Sequence, residues 1–246
     1  MQTARRLPAD PSAEPRRPIL TVVHQPTSSC GRVGAMLRAR GHALDRRCPM
    51  HGDPLPGNLS DHAGVVVFGG PMSANDDHLP GIRAELDLLE RAMTAEVPTL
   101  GICLGGQMMA RVLGGRVRPR DDARVEVGYY PVWGTEAGRR HGLFDGEMGV
   151  YQWHKEGFDL PPGATLLARG LGYPNQAFAV GTRAYGLQFH PEVTHEMMMR
   201  WTTKAAHMLT WPGAQGAPAH HAGRHRHDAA LGRWLARFLD HWLPAA

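Results

Sequence analysis

The chain is poor in cysteine and contains no long apolar run. Its 246 residues include three cysteines, Cys30, Cys48 and Cys103, and no two of them form a C-x-x-C pair. Three scattered cysteines exclude a disulfide framework, and a reactive thiol fits a reducing compartment. No run of about 18 apolar residues is present, and residues 1–18 contain no signal-peptide core. We therefore expect a cytoplasmic protein with no membrane partner.

Lysine is almost absent as well. Of the 27 lysine and arginine residues all but two are arginine, and the formal net charge is +4. Arginine clusters lie near the two termini, and no helix-turn-helix, zinc-finger or RNA-binding signature accompanies them. The sequence also lacks a G-x-x-x-x-G-K-[ST] segment, which excludes a P-loop. We expect no nucleic-acid partner and no cofactor.

One cysteine stands at the centre of a glycine-rich segment that predicts a nucleophile elbow. The segment reads GICLGGQ from Gly101 to Gln107, with Cys103 at its centre, and follows the strand-like residues 97–100. A strand, tight turn and helix in this order would present the thiol at the apex, as G-x-S-x-G presents a serine. The alternative is a buried structural cysteine, because free cysteines are usually buried.

A histidine and a glutamate follow a second strand-like run further along the chain. The segment QFHPE ends in His190, Pro191 and Glu192 and comes directly after residues 184–187. On an extended segment, residues two positions apart point the same way. A cysteine nucleophile needs a base, and the base needs an orienting acceptor. We therefore predict a triad of Cys103, His190 and Glu192.

Together these segments resemble the class I glutamine amidotransferase domain, the type with a Cys-His-Glu triad. Residues 65–73, VVVFGGPMS, resemble the strand and glycine-rich oxyanion loop of that family. The resemblance implies that the N–H groups of Gly70 and Leu104 hold the oxyanion, and that Gly69 and Gln107 bind the glutamine substrate. Glycine suits such a loop, because it lets backbone donors approach a ligand closely.

The finer resemblance is to stand-alone domains similar to the amidotransferase half of GMP synthase. It rests on NDD at residues 75–77, EVGY at 126–129 and QWHKE at 152–156. The last motif makes His154 a second histidine expected at the substrate-binding site. The alternative for His154 is a loop histidine that bonds to the backbone.

Strands that alternate with helices predict an α/β fold with a doubly wound, mostly parallel sheet and flanking helices, similar to flavodoxin. Short strand-like runs between residues 116 and 188 predict an antiparallel section. Active sites in such sheets lie at the carboxyl ends of strands, where Cys103 and the Gly69-Gly70 loop both fall.

We divide the chain into four parts. They are a disordered tail (residues 1–18), the amidotransferase-like domain (19–210), a flexible loop rich in His, Gly and Pro (211–228), and a C-terminal helix packed on the domain (229–246). The loop contains the histidines at positions 220, 221, 225 and 227. No carboxylate or thiol framework of standard spacing accompanies them, so we expect no metal.

Three functions are compatible with these residues. The first is an amidotransferase that hydrolyses glutamine through a γ-glutamyl thioester and supplies ammonia to a separate synthetase subunit. The second is a stand-alone γ-glutamyl hydrolase or peptidase that acts on another γ-glutamyl compound. The third is a non-catalytic binding module on the same fold, which the intact Cys103, His190 and Glu192 disfavour.

Overall fold

The computed structural model describes residues 16–244. Residues 1–15 of the predicted tail lie outside the described residues. Within that range the strands are β1 (Ile19–Val22), β2 (Leu44–Arg47), β3 (Gly64–Val67), β4 (Thr99–Ile102), β5 (Val117–Pro119), β6 (Glu126–Gly134), β7 (Glu147–His154), β8 (Glu156–Phe158), β9 (Thr165–Gly170), β10 (Ala177–Val180) and β11 (Ala184–Leu187). The α-helices there are α1 (Gly31–Ala39), α2 (Pro80–Thr94), α3 (Leu104–Val112), α4 (Glu136–Arg140), α5 (His195–Lys204) and α6 (Ala217–Trp242).

Most of the strands belong to one large mixed sheet. Across the described residues nine strands follow the order β2-β1-β3-β4-β11-β10-β9-β6-β7. The first five run parallel to one another, and antiparallel pairings join the rest. β5 and β8 pair separately as a short antiparallel ribbon. The predicted doubly wound α/β sheet with an antiparallel section is confirmed.

Helices cover both faces of this sheet. Ile19 of β1 and Val66 of β3 belong to a core layer that also contains residues of α1 and α6. Their neighbours Leu20 and Val65 belong to a second layer that contains residues of α2 and α3. All four side chains are fully buried. Because neither face meets water, the central strands are apolar at nearly every position.

The C-terminal region differs from the sequence prediction. The assignment of residues 211–228 as a flexible loop is wrong from Ala217 onward, because α6 begins there and continues to Trp242. Pro218 lies in the first turn of α6, where its missing N–H breaks no helical hydrogen bond. Gly223 allows a close contact, since a Cβ at that position would lie 2.5 Å from Cδ2 of Tyr129. Proline and glycine here mark a helix start and a packing contact.

The apolar stripe of α6 packs against the sheet and α1. Its side chains are at most 2% exposed, and they are Leu231, Trp234, Leu235, Phe238 and Trp242. Two ion pairs at 2.6 Å, Arg32–Asp228 and Arg40–Asp240, join α1 and the residue directly after it to α6. Within residues 16–244, no helix has both the length and the apolar character that a membrane crossing requires.

Candidate active site

Four neighbouring parallel strands bring chemically distinctive residues to one edge of the sheet. β1, β3, β4 and β11 lie side by side. His24, the Gly69-Gly70 pair, Cys103 and His190 come just after their carboxyl ends, in that order. Parallel sheets place their active sites at this edge. The predicted nucleophile, base and oxyanion loop therefore converge on one location.

Cys103 occupies a tight turn between β4 and α3. Its backbone has φ +51° and ψ −105°, a region that residues other than glycine rarely adopt. The flanking glycines permit the turn. A side chain at Gly105 would collide with the Val67 carbonyl, and a Cβ at Gly101 would lie 2.5 Å from the Gly105 backbone. The strand, turn and helix of a nucleophile elbow are thus present.

His190 and Glu192 meet in the segment that follows β11. The Nδ1 atom of His190 lies 2.8 Å from Oε1 of Glu192, and both side chains are at most 4% exposed. The backbone N–H of His190 donates to the Tyr151 carbonyl at 2.8 Å. The backbone N–H of Arg32, in α1, donates to the Glu192 carbonyl at 2.8 Å. The backbone bonds hold the segment in place, and the carboxylate orients the imidazole ring.

The Cys103 side chain lies beside the same ring. A Cβ at Gly69 would stand 2.7 Å from Cε1 of His190 and 3.5 Å from Cβ of Cys103, so both side chains border one small space. Within the described part of the chain, the buried Nε2 of His190 has no hydrogen-bond partner. Burial disfavours the imidazolium, but the charges of Glu192 and of the Cys103 thiolate outweigh burial and raise the pKa of His190 to about 10. The surroundings therefore favour an imidazolium between carboxylate and sulfur at neutral pH.

The Gly69-Gly70 peptide lies between two histidine rings. His190 contacts one side at Gly69, and a Cβ at Gly70 would stand 2.5 Å from Cγ of His24 on the other. Among residues 16–244, the Gly70 N–H donates to no protein group. Leu104 is the first residue of α3, so its N–H has no acceptor within the helix. Two backbone donors are therefore available, one directly after Gly69 and one directly after Cys103.

Two glutamines form a small amide network next to the sulfur. Nε2 of Gln188 lies 3.8 Å from Sγ of Cys103. Nε2 of Gln107 donates to Oε1 of Gln188 at 3.3 Å and to the Glu156 carbonyl at 2.7 Å. Gln107 therefore lies one side chain away from the nucleophile, and its amide nitrogen is engaged within the protein.

His154 lies in the same region, but both of its ring nitrogens have protein partners. Nδ1 lies 2.9 Å from the Glu156 carbonyl, and Nε2 lies 3.1 Å from Oε2 of Glu126. Glu126 is itself buried and also accepts a bond of 2.9 Å from Gln176. Because neither nitrogen is free for a ligand, the geometry does not favour the predicted substrate contact. His154 instead supports Glu156, whose carbonyl holds Gln107.

An aromatic wall closes the site on the side of α5. The Trp201 and His190 rings lie 5.0 Å apart in an edge-to-face contact, and the Trp153 carbonyl lies 3.9 Å from Sγ of Cys103. Cys103 is only 6% exposed, so the site is nearly enclosed. Two surface cavities of about 390 and 350 Å³ lie next to Tyr173, and Cys103 lines neither of them.

The predicted histidine cluster contributes one residue to this wall. His220 is fully buried on α6. Its Nδ1 lies 2.9 Å from the Tyr151 hydroxyl, and its Nε2 lies 3.0 Å from the Gln215 carbonyl. His220 therefore connects α6 to the strand that passes the active site, and neither of its nitrogens is free to bind a metal.

Comparison with known proteins agrees with this arrangement. The family model for glutamine amidotransferase class-I matches residues 42–205. The glutamine amidotransferase-like protein YfeJ of Salmonella typhimurium is 36% identical over 182 residues, which cover 71% of this chain and 75% of that protein. The chain belongs to the class I glutamine amidotransferase family.

Other relatives include GMP synthases and solved amidotransferase structures. The glutamine-hydrolyzing GMP synthase of Thermomicrobium roseum is 38% identical over 136 residues, which cover 54% of this chain but only 24% of that enzyme. Glutamine amidotransferase structures from Methylobacillus flagellatus and Thermotoga maritima each superpose with a TM-score of 0.84 at 29% identity. They cover 92% and 94% of this chain, and 94% and 100% of their own. The predicted resemblance to this family, with GMP synthase among the relatives, is confirmed.

Two buried residues near the site of this class I family member were not predicted from the sequence. Nε2 of His24 lies 2.9 Å from Oε2 of Glu85 on α2, and both side chains have no exposed surface. The family match begins at residue 42, beyond His24. Two features of the sequence nevertheless indicated that these residues are buried near the site. His24 directly follows an apolar strand, and Glu85 falls on the buried face of α2 with Ile82 and Leu89.

Proposed function

We propose that this class I family member hydrolyses the γ-carboxamide of glutamine. Cys103 is the nucleophile, His190 is the base and acid, and Glu192 orients the imidazole. The observation that carries the proposal is the position of the His190 ring, between the Glu192 carboxylate and the side chain of a cysteine at an elbow. Activation of a nucleophile by a base that a third group orients is the general logic of such triads.

The reaction proceeds in two halves. The Cys103 thiolate attacks the γ-carbonyl carbon, the C–N bond breaks, and a γ-glutamyl thioester forms. The His190 imidazolium gives its proton to the departing ammonia. Water then adds to the thioester while His190 takes a proton from it, and glutamate leaves as the Cys103 thiolate is regenerated. The N–H groups of Gly70 and Leu104 stabilise the oxyanion in both halves.

The substrate lies against Gly69 and Gln107 in this proposal. Gly69 has no side chain, and a Cβ there would crowd the His190 ring and the Cys103 side chain, so glycine keeps the approach to the sulfur unobstructed. The ammonia passes to a separate synthetase subunit in the cytoplasm, where a free thiol remains reduced. The GMP synthase relatives support this assignment, since their name includes glutamine hydrolysis. A stand-alone γ-glutamyl hydrolase or peptidase would use the same residues on another γ-glutamyl compound.

One observation favours a second function. Cys103 is 6% exposed, and a thiol so nearly enclosed also suits a non-catalytic binding module on the same fold. A catalytic site must open widely enough for the glutamine side chain to reach the sulfur. A chloroketone analogue of glutamine distinguishes the two functions, because it alkylates Cys103 only if the substrate can enter.

The nucleophile is tested by replacing Cys103 with alanine. We expect the release of glutamate and ammonia from glutamine to fall by at least about 10⁴-fold, because the covalent route is lost. The circular-dichroism spectrum should be unchanged. Cys48→Ala is the matched control and should retain wild-type turnover, since Cys48 follows the edge strand β2, which β1 and β3 separate from β4 and Cys103. Activity that survives in Cys103→Ala would refute the assignment. A wild-type protein inert to both glutamine and the chloroketone would favour the binding module.

A further inference from the structure

We propose that His24 and Glu85 are positioning residues that set the direction of the oxyanion donor at Gly70. The proposal rests on the proposed function, in which the Gly70 N–H holds the oxyanion. Neither His24 nor Glu85 needs to touch the substrate. They act through the Gly69-Gly70 peptide, which His24 contacts at both residues.

The first step of the argument is the contact between His24 and the peptide. Nδ1 of His24 lies 3.1 Å from the Gly69 carbonyl oxygen. In a trans peptide, the carbonyl of one residue and the N–H of the next point in opposite directions. A donor that holds the Gly69 carbonyl on one side therefore directs the Gly70 N–H to the other side. The His190 ring contacts Gly69 on that opposite side.

The second step is the anchor provided by Glu85. Nε2 of His24 lies 2.9 Å from Oε2 of Glu85, and neither side chain is exposed. A buried carboxylate is costly unless an opposite charge accompanies it. Because the Gly69 carbonyl oxygen can only accept a hydrogen bond, Nδ1 of His24 is the donor in that contact. Glu85 thus keeps the Nδ1 proton of His24 directed at Gly69.

The third step is the need for such a restraint. Two consecutive glycines have little conformational preference of their own, so the peptide between them can rotate. A rotated peptide would present the Gly69 carbonyl to the oxyanion and repel it. An oxyanion hole is effective because its donors are already oriented before the reaction. The His24 ring also packs closely against Gly70, since a Cβ at that position would lie 2.5 Å from its Cγ.

The test compares two reactions of the same sulfur. Acylation of Cys103 by p-nitrophenyl acetate passes through a tetrahedral oxyanion, whereas alkylation by iodoacetamide is a direct displacement that forms none. Neither reaction requires glutamine recognition. If the wild type acylates but does not hydrolyse glutamine, the proposed function fails while the positioning role is still measured.

The variants form a matched pair in a Glu85→Gln background, which leaves no unpaired charge in the core. His24→Asn retains an N–H donor near the position of Nδ1, and His24→Leu replaces the ring with an apolar side chain. We expect His24→Leu to lower the acylation rate on the order of 10- to 100-fold relative to His24→Asn. The alkylation rates of the two variants should agree within about threefold, because neither substitution changes Cys103 or His190.

Equal acylation rates in the two variants would overturn the proposal. So would acylation and alkylation rates that fall together, which would indicate a purely structural role. If the leucine variant does not fold, the single variant Glu85→Gln replaces it. A lower ratio of acylation to alkylation than in the wild type then supports the proposal, and an unchanged ratio overturns it.

Discussion

At the scale of single residues, the three cysteines have different surroundings and should react differently. Burial raises the pKa of the Cys30 thiol and also that of Cys48. Cys103 instead lies beside His190, whose raised pKa favours an imidazolium that can stabilise a thiolate. We expect iodoacetamide at pH 7 to modify Cys103 at least about tenfold faster than Cys30 or Cys48. Peptide mass spectrometry measures the three rates.

The matched control for this labelling experiment is His190→Gln. It should slow the modification of Cys103 and leave the rates at Cys30 and Cys48 unchanged. Equal modification of all three cysteines in the wild type would show that the imidazolium does not activate the sulfur.

The raised pKa of His190 also predicts how stability depends on pH. The folded-state pKa of about 10 lies above the ordinary value of 6.5. The stabilisation from the imidazolium is therefore fully present below pH 6.5 and is lost as the pH rises through about 10. We expect the difference in unfolding free energy between the wild type and His190→Gln to narrow by at least about 1 kcal/mol from pH 7 to pH 10. Urea titrations at several pH values measure this difference.

His51 is exposed, so His51→Gln is a control for the pH series. Its free energy of unfolding should match that of the wild type at every pH. A difference between the wild type and His190→Gln that stays constant from pH 7 to pH 10 would contradict the ion-pair interpretation.

The residues of the site were predictable from the sequence to different degrees. Cys103 and His190 stand in contiguous motifs whose geometry follows from local chain conformation, so the sequence was sufficient to bring them to one sheet edge. The role of His154 depends on Glu126, which strand pairing between β6 and β7 places opposite it. The pair of His24 and Glu85 likewise exists only once α2 packs on the sheet. Partners supplied by tertiary structure are not visible in a local pattern.

At the scale of secondary-structure elements, α6 shows that packing can stabilise a helix whose local composition predicts a loop. The apolar half of the helix was evident from its spacing, but its first turns, from Ala217, contain proline, glycine and several histidines and resemble a loop. The packing partners of these turns decide the outcome. His220 bonds to Tyr151, and Gly223 fits against Tyr129. Both tyrosines belong to β6 and β7, so the sheet stabilises a helix that its composition alone does not favour.

Trp234 connects α6 to the active site and should be important for stability. Its ring lies 5.3 Å from Phe189, the residue before His190, and its Nε1 donates to the Leu143 carbonyl at 2.7 Å. We expect Trp234→Ala to lower the free energy of unfolding by about 3–5 kcal/mol, because it empties a buried site and leaves a carbonyl without its donor. Chemical denaturation measures the change.

The neighbouring Arg233→Ala is a matched control for this helix, because Arg233 is exposed on the same turn. Its stability should stay within about 0.5 kcal/mol of the wild type. A Trp234→Ala variant as stable as this control would show that α6 contributes little to the core.

At the scale of the whole molecule, the site is assembled from segments distant in sequence. Cys103 and His190 follow two adjacent parallel strands, Trp201 comes from α5, and His220 comes from α6. The solved amidotransferase structures match nearly this entire chain, whereas the GMP synthase match covers about a quarter of that enzyme. The chain therefore matches these amidotransferase structures over much more of their length than it matches GMP synthase, and the destination of the ammonia is a separate question.

Whether ammonia is released or transferred can be measured with the intact protein. We expect the purified chain to convert glutamine to glutamate and ammonia in equal amounts at a low rate. Addition of an ATP-supplied extract from the source cell should raise the glutamate rate at least about tenfold, because a bound synthetase would favour the open, aligned state of a nearly enclosed thiol. The Cys103→Ala protein in the same extract corrects for other glutaminases. An equal rate with and without extract would exclude dependence on a synthetase. It would instead assign the chain to the stand-alone γ-glutamyl hydrolases.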